Sequence, residues 1–175
     1  MTETMPKTDL MPRPQPTWVE ALDERRQSWS LTHVVEAAVR NVDECCLRPL
    51  RTSGAVNRDA KRMLALLSWS YARQFYSSVA IHARLRVDPV AGFWEGGTPD
   101  QEDIRRFRDE NRHALEQCLH AALRFMAAQK VAEGLVTRIN EAHIAAEAAR
   151  RVITAAFIDS AEAADRDTGE SNALN

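Results

Sequence analysis

At 175 residues the chain can bury one ordinary core, and 45% hydrophobic with 27% charged residues is the balance of a globular protein, not a disordered one. A formal net charge of −2 excludes a polycation, so contact with nucleic acid has to come from local basic patches. No apolar run approaches the ~20 residues that span a bilayer, and the N-terminus lacks the pattern of a signal peptide, which predicts a cytoplasmic protein with no membrane partner.

Residues 1–16 carry Pro6, Pro12, Pro14 and Pro16 and read as an extended, disordered tail. A short helix is expected from Thr17, turning Trp18, Leu22 and Trp29 inward. From Leu31 to Leu47, Val34, Val35, Ala38, Val39 and Val42 recur at helical spacing, and Pro49 stops the run. "RTSGAVN" is a loop, and Asn57 caps a helix expected to reach Phe75 with Met63, Leu64, Leu66, Leu67 and Tyr71 apolar. Ser77 or Ser78 caps a shorter helix ending at Asp88-Pro89, and "GFWEGG" is a connector.

The strongest helix start is "TPDQ", with Thr98 as cap, Gln101 reaching back, Pro99 in the first helical position and Asp100 facing the dipole. One long helix follows, with Ile104, Phe107, Asn111, Leu115, Cys118, Ala122 and Met126 on its buried face. A break near Glu133-Gly134 precedes a last helix over about Arg138 to Ala164. Residues 165–175 read as a second disordered tail. The expectation is one all-α domain over 17–164, of five or six helices with a helix-turn-helix-like centre.

No enzyme chemistry is written in the residues. His113 and His120 lie seven apart, not at the tight i, i+3 or i, i+4 spacing of zinc ligands, so no metal site and no cofactor are expected. Acids such as Asp100, Glu102, Asp103, Asp109 and Glu110 fit a solvated face, and no GxGxxG, GxxxxGK[ST] or GxSxG run occurs. Cys45, Cys46 and Cys118 make no CxxC pair and read as reduced, buried thiols on helices.

The arginines are the candidate binding residues. Arg105, Arg106, Arg108 and Arg112 follow the "TPDQ" start, and Arg84 and Arg86 close the helix before it. Arg58 through Arg112 holds 10 basic against 8 acidic residues, whereas Glu133 onward holds 4 against 8. A salt-bridged solvated face would give the same modest bias. Two helices around a connector, the second carrying early arginines, match the layout that sends a recognition helix into the major groove. The connector from Pro89 to Thr98 is nevertheless longer than the usual three or four residues.

The runs "RMLALLSWSYARQFYSSVAIHARLRVDP" and "FWEGGTPDQEDIRRFRDENRHALEQCL", with "LTHVVEAAVRNVD" upstream, resemble the N-terminal domain of bacterial insertion-sequence transposases of the DDE type. Pro99, Asp100, Ile104, Arg106, Phe107, Arg108 and Leu115 stand where that family has a Gly/Pro-Asp turn, an isoleucine, an Arg-Phe-Arg triplet and a leucine-spaced helix. The resemblance spans about Trp18 to Lys130. It implies binding to inverted-repeat DNA ends through Arg105, Arg106, Arg108 and Arg112, with Arg84 and Arg86 second. It departs where the family's first catalytic strand should start, because an alanine-rich helix follows, and Asp159 with Glu162 does not make a metal pair. A DNA-binding protein without catalysis is therefore expected: an orphan, truncated or regulatory form. The alternative is a helical protein–protein module, a homodimer or a partner of an intact transposase, using Trp18, Trp29, Trp69, Trp94 and the last helix as apolar surface.

Overall fold

The computed structural model describes residues 31–48, 58–87 and 98–173, and among these there are six α-helices and no strand. The expected tail over 1–16, the last two residues of the tail expected over 165–175, the helix of Trp18 to Trp29, the Pro49 stop, the Asn57 cap and the "GFWEGG" connector lie outside the described residues; residues 165–173 of the second tail are helical, contrary to expectation. Helix α1 covers residues 31–40 and buries Leu31, Val35 and Val39, one residue per turn. It ends seven residues before the expected Leu47. Asp43 accepts from the Cys45 amide at 3.0 Å and starts a 3₁₀ turn, Glu44–Cys46, in place of a continued helix. That turn leaves Cys45 and Cys46 exposed, contrary to expectation, while Cys118 is buried. Burial pushes the Cys118 thiol up to about 11, against a smaller opposing effect of the Ser68 hydroxyl.

Helix α2, Arg58–Ala72, is the centre of the molecule. Every residue from Met63 to Ala72 is buried, so the helix is surrounded rather than laid on one face. Trp69, expected to offer partner surface, is 5% exposed and belongs to this core. The helix stops short of Phe75 because Gln74 takes a left-handed φ of 64° and the Phe75 amide donates back to the Ser70 carbonyl at 2.8 Å. Helix α3, Ser78–Val87, starts at Ser77, whose hydroxyl accepts from the Ala80 amide.

The expected single long helix is two: α4, Gln101–Glu110, and α5, Arg112–Ala132. Asp100, not Thr98, caps α4, accepting from the Asp103 amide at 2.7 Å. Asn111 makes the break. Its side-chain amide donates to Phe107 O and Arg48 O, and its Oδ1 accepts from the Arg48 amide at 2.7 Å. One buried asparagine therefore closes α4, opens α5 and ties down the strand of chain after the 3₁₀ turn. Helix α5 packs on both α2 and α6, and ends at Gly134 with φ 74°. Helix α6, Glu141–Ala173, starts at Asn140, which accepts from the His143 amide, and runs nine residues beyond the expected end at Ala164.

Two αL positions give opposite predictions. Gln74→Gly should stabilise the fold by about 0.5–1 kcal/mol, because glycine adopts φ 64° without a Cβ clash. Gly134→Ala should cost about 1 kcal/mol although a Cβ there meets nothing within 4 Å, since the cost is in the backbone alone. Urea denaturation of the two variants checks both signs.

Candidate functional site

The six candidate arginines do not form one surface. Arg84 and Arg86 are exposed in the last turn of α3, where their charge also suits the helix dipole. Arg84 lies over the Phe75 ring, 4.8 Å from its centroid. Arg106 and Arg112 are exposed and pair along their own helices, Arg106 with Glu102 at 3.8 Å and Arg112 with Glu116 at 2.8 Å. Arg105 is turned toward α6, with Nε 3.9 Å from Asp159, and its Nε and Nη2 are buried without a hydrogen bond. Arg108 corrects the sequence reading. It is 3% exposed, and its guanidinium donates to Asp159 Oδ2.

Alternation along α4 explains the split. Ile104, Phe107 and Arg108 lie on the face that meets the core, and an arginine on that face must find an anion. Asp159 supplies it from α6. The same carboxylate, 2% exposed, accepts from the Ser78 amide at 2.8 Å and from the Ser78 hydroxyl, so it also completes the N-terminus of α3. Beside it, Glu162 accepts from the Ser77 hydroxyl at 2.9 Å.

Tyr71 closes the network from α2. Its hydroxyl is buried with no atom in hydrogen-bonding geometry, and burial raises its pKa while the Arg108 cation acts in the opposite direction. For Arg108, burial disfavours the charged form, but the Tyr71 and Asp159 oxygens more than offset it and raise the pKa. This is a structural ion pair in which every charge has a fixed partner. Sequence reasoning set Asp159 aside as half of a poor metal pair. The missed signal was its register: Ile144, Ala148, Val152, Ala155 and Asp159 share one helical stripe, and an acid on a buried stripe requires a cation.

Next to this network, Glu102, Arg105, Arg106, Asp109, Asp159 and Ser160 are among the residues lining an open cleft of about 460 Å³ between α4 and α6. Its lining mixes charges of both signs, so it is not a basic groove. The N-terminus of α4 is likewise occupied: Asp100 caps it, and Glu102 and Asp103 fill its first turn. His113 faces Gln117 along α5, and His120 approaches Glu141 of α6 at 3.5 Å. Among the described residues no group of three His, Cys, Asp or Glu gathers as metal ligands, and no helix is long and apolar enough to cross a membrane.

A second buried arginine mirrors the first. Arg151 of α6 donates to the carbonyls of Tyr71 and Ala72 at 2.9 and 2.8 Å, the C-terminal end of α2. Glu147 holds Arg151 in place through Nε at 2.7 Å. Its carboxyl is pulled down to about 2, first by the Arg150 hydrogen bonds and further by Arg151, against partial burial.

No family model, no curated protein and no solved structure matches the chain.

Removing the buried anion should be severe. Asp159→Ala leaves Arg108 with only the exposed Asp109 at 3.1 Å and the Ser78 amide unpaired, and should cost about 3–5 kcal/mol by urea denaturation. The Arg108→Met, Asp159→Asn double variant should lose less than the sum of its two single variants. Glu147 gives a pH signature. Its folded pKa lies below its unfolded value, so its contribution is complete above about 4.5 and lost as pH falls toward about 2. Glu147→Gln should therefore be less stable than the parent at neutral pH by about 1–2 kcal/mol, with the gap closing between pH 4.5 and 2.

Proposed function

We propose that the chain is a DNA-contacting helical module that uses Arg84, Arg86, Arg106 and Arg112 on phosphates and performs no catalysis. The reading rests on the resemblance of residues 62–119 to transposase N-terminal domains. The observation that carries it is the surface position of these four guanidiniums on α3, α4 and α5. Arg106 is held by Glu102, an exposed neighbour on its helix, and Arg112 by the half-buried Glu116. Such pairs contribute only about 0.3–0.5 kcal/mol, so a phosphate displaces the glutamate at little cost. Arg105 and Arg108 are left out of the contact set because Asp159 engages both.

The elements bearing these arginines are fixed against one another. His82 of α3 meets Pro99 O, just ahead of α4, through Nδ1 at 2.8 Å, and Asp159 joins α3 to α4 through α6. A rigid display of side chains suits backbone contact, whose geometry repeats along a duplex. With acids in the first turn of α4, base reading by that helix end is not part of the proposal.

Fluorescence anisotropy with random and inverted-repeat duplexes tests it. Binding should weaken steeply with salt, and the Arg84→Ala, Arg86→Ala double variant should flatten the log K against log [salt] slope by about 2. Absence of binding at low ionic strength, where phosphate contacts are strongest, overturns the proposal.

A further inference from the structure

The 3₁₀ turn Glu44–Cys46 carries two neighbouring thiols on the surface. Cys45 and Cys46 are free and exposed, whereas Cys118 is buried in the core. The turn is held both locally and from a distance. The Cys46 and Leu47 amides donate to the Asp43 and Glu44 carbonyls at 3.0 and 3.1 Å. Glu44 pairs with Lys61 of α2 at 3.1 Å, and the Arg48 amide just beyond donates to Asn111 at 2.7 Å. The two thiols thus stand side by side on a backbone fixed by groups other than themselves.

Such a pair is poorly placed to close on itself. Neighbouring Cα atoms are about 3.8 Å apart, below the ~4.4–6.8 Å usual for a disulfide. At three residues per turn the two side chains also diverge by about 120°. Bringing the sulfurs to about 2.05 Å would therefore undo the turn. An atom placed between them removes most of that demand. With a bond of about 2.3 Å to each sulfur, it needs them only within about 3–4 Å of one another.

We propose that Cys45 and Cys46 form a two-thiol site for trivalent arsenic, as arsenite or an organoarsenical. Ligand number favours an occupant that takes two sulfurs. Zinc and iron–sulfur sites take four ligands, and among the described residues no group of three His, Cys, Asp or Glu gathers. The flanking carboxylates are engaged, Asp43 with the Cys45 amide and Glu44 with Lys61.

Charge narrows the choice. Asp43 raises the Cys45 pKa, first through its charge and then through its hydrogen bond, with smaller contributions from Cys46 and Glu44, so this thiol stays protonated at neutral pH. A cuprous ion would displace two protons for one positive charge and leave the site more negative beside these acids. Arsenite exchanges without a change of charge. As(OH)₃ and two thiols give (RS)₂AsOH and two waters: two As–O bonds break, two As–S bonds form, and each thiol proton leaves on a hydroxide. Arsenic stays trivalent throughout. Once the first As–S bond has formed, the second thiol is held at high effective concentration, which strengthens binding by about 10²–10⁴ over a single thiol. None of the arginines above takes part, so this site and contact with phosphates stand or fall separately.

Phenylarsine oxide added to the folded full chain, with glutathione in excess as a competing monothiol, tests the proposal. Native mass spectrometry should show one arsenical per chain, retained against glutathione and stripped by a small dithiol. Thiol labelling after gel filtration should find Cys45 and Cys46 protected. Cys45→Ser and Cys46→Ser should each weaken binding at least about a hundredfold. The urea midpoint of both variants should stay unchanged, because the side chains they replace are exposed. No adduct that survives glutathione, an adduct that either single variant keeps at parental affinity, or one that leaves Cys45 and Cys46 open to labelling would overturn the proposal.

Discussion

The buried carboxylate of Asp159 is the constraint around which α3, α4 and α6 are arranged. It satisfies the first amide of α3, neutralises Arg108 of α4 and belongs to the buried stripe of α6. Arg151, eight residues earlier on the same helix and about 12 Å away, does the complementary work at the end of α2. The turn over 73–77 separates those two helix ends. Its first end exposes carbonyls and its second exposes amides, and α6 places a cation on one and an anion on the other. Neither buried charge is therefore an isolated ion. Each is held by oriented backbone dipoles and by a side chain of opposite sign, which is the condition under which burial of charge is tolerated.

This arrangement explains which parts of the fold were legible in sequence. Apolar periodicity located α2, the α4–α5 run and α6, since the hydrophobic stripe is a local signal. Helix ends were less legible where a side chain competed with the backbone. Asp43 ended α1 early, Asn111 split the expected long helix, and Asp100 took the capping role expected of Thr98. Asp43 and Asp100 act through local bonds to amides two and three residues on, whereas Asn111 also makes long-range bonds. Asn111 is the clearest instance. Its preference is fixed by Arg48, sixty-three residues away, which no local window contains.

The candidate site divides along the same line. "RRFR" gives four consecutive residues of which three are basic, and a sequence assigns them a common role. Helical geometry separates them by 100° steps, so Arg106 reaches solvent, Phe107 enters the core, and Arg108 is drawn in beside it. A basic triplet on an amphipathic helix is thus a mixture of structural and surface charge. The missing information was the partner: an aspartate on the buried stripe of a helix fifty-one residues later.

Helix α6 places two charges among its buried apolar residues and two large apolar side chains among its exposed ones. Inward it carries Arg151 and Asp159, outward Ile153 and Phe157. A helix that only covered the core would put the charges outside, where water solvates them without the need for matched partners. Turning them inward costs desolvation, offset here by the ends of α2 and α3. Turning the apolar residues outward carries a further cost in water that nothing within the described fold offsets. The first cost has an internal explanation. The second has none among the described residues, where Ile153 and Phe157 stay exposed.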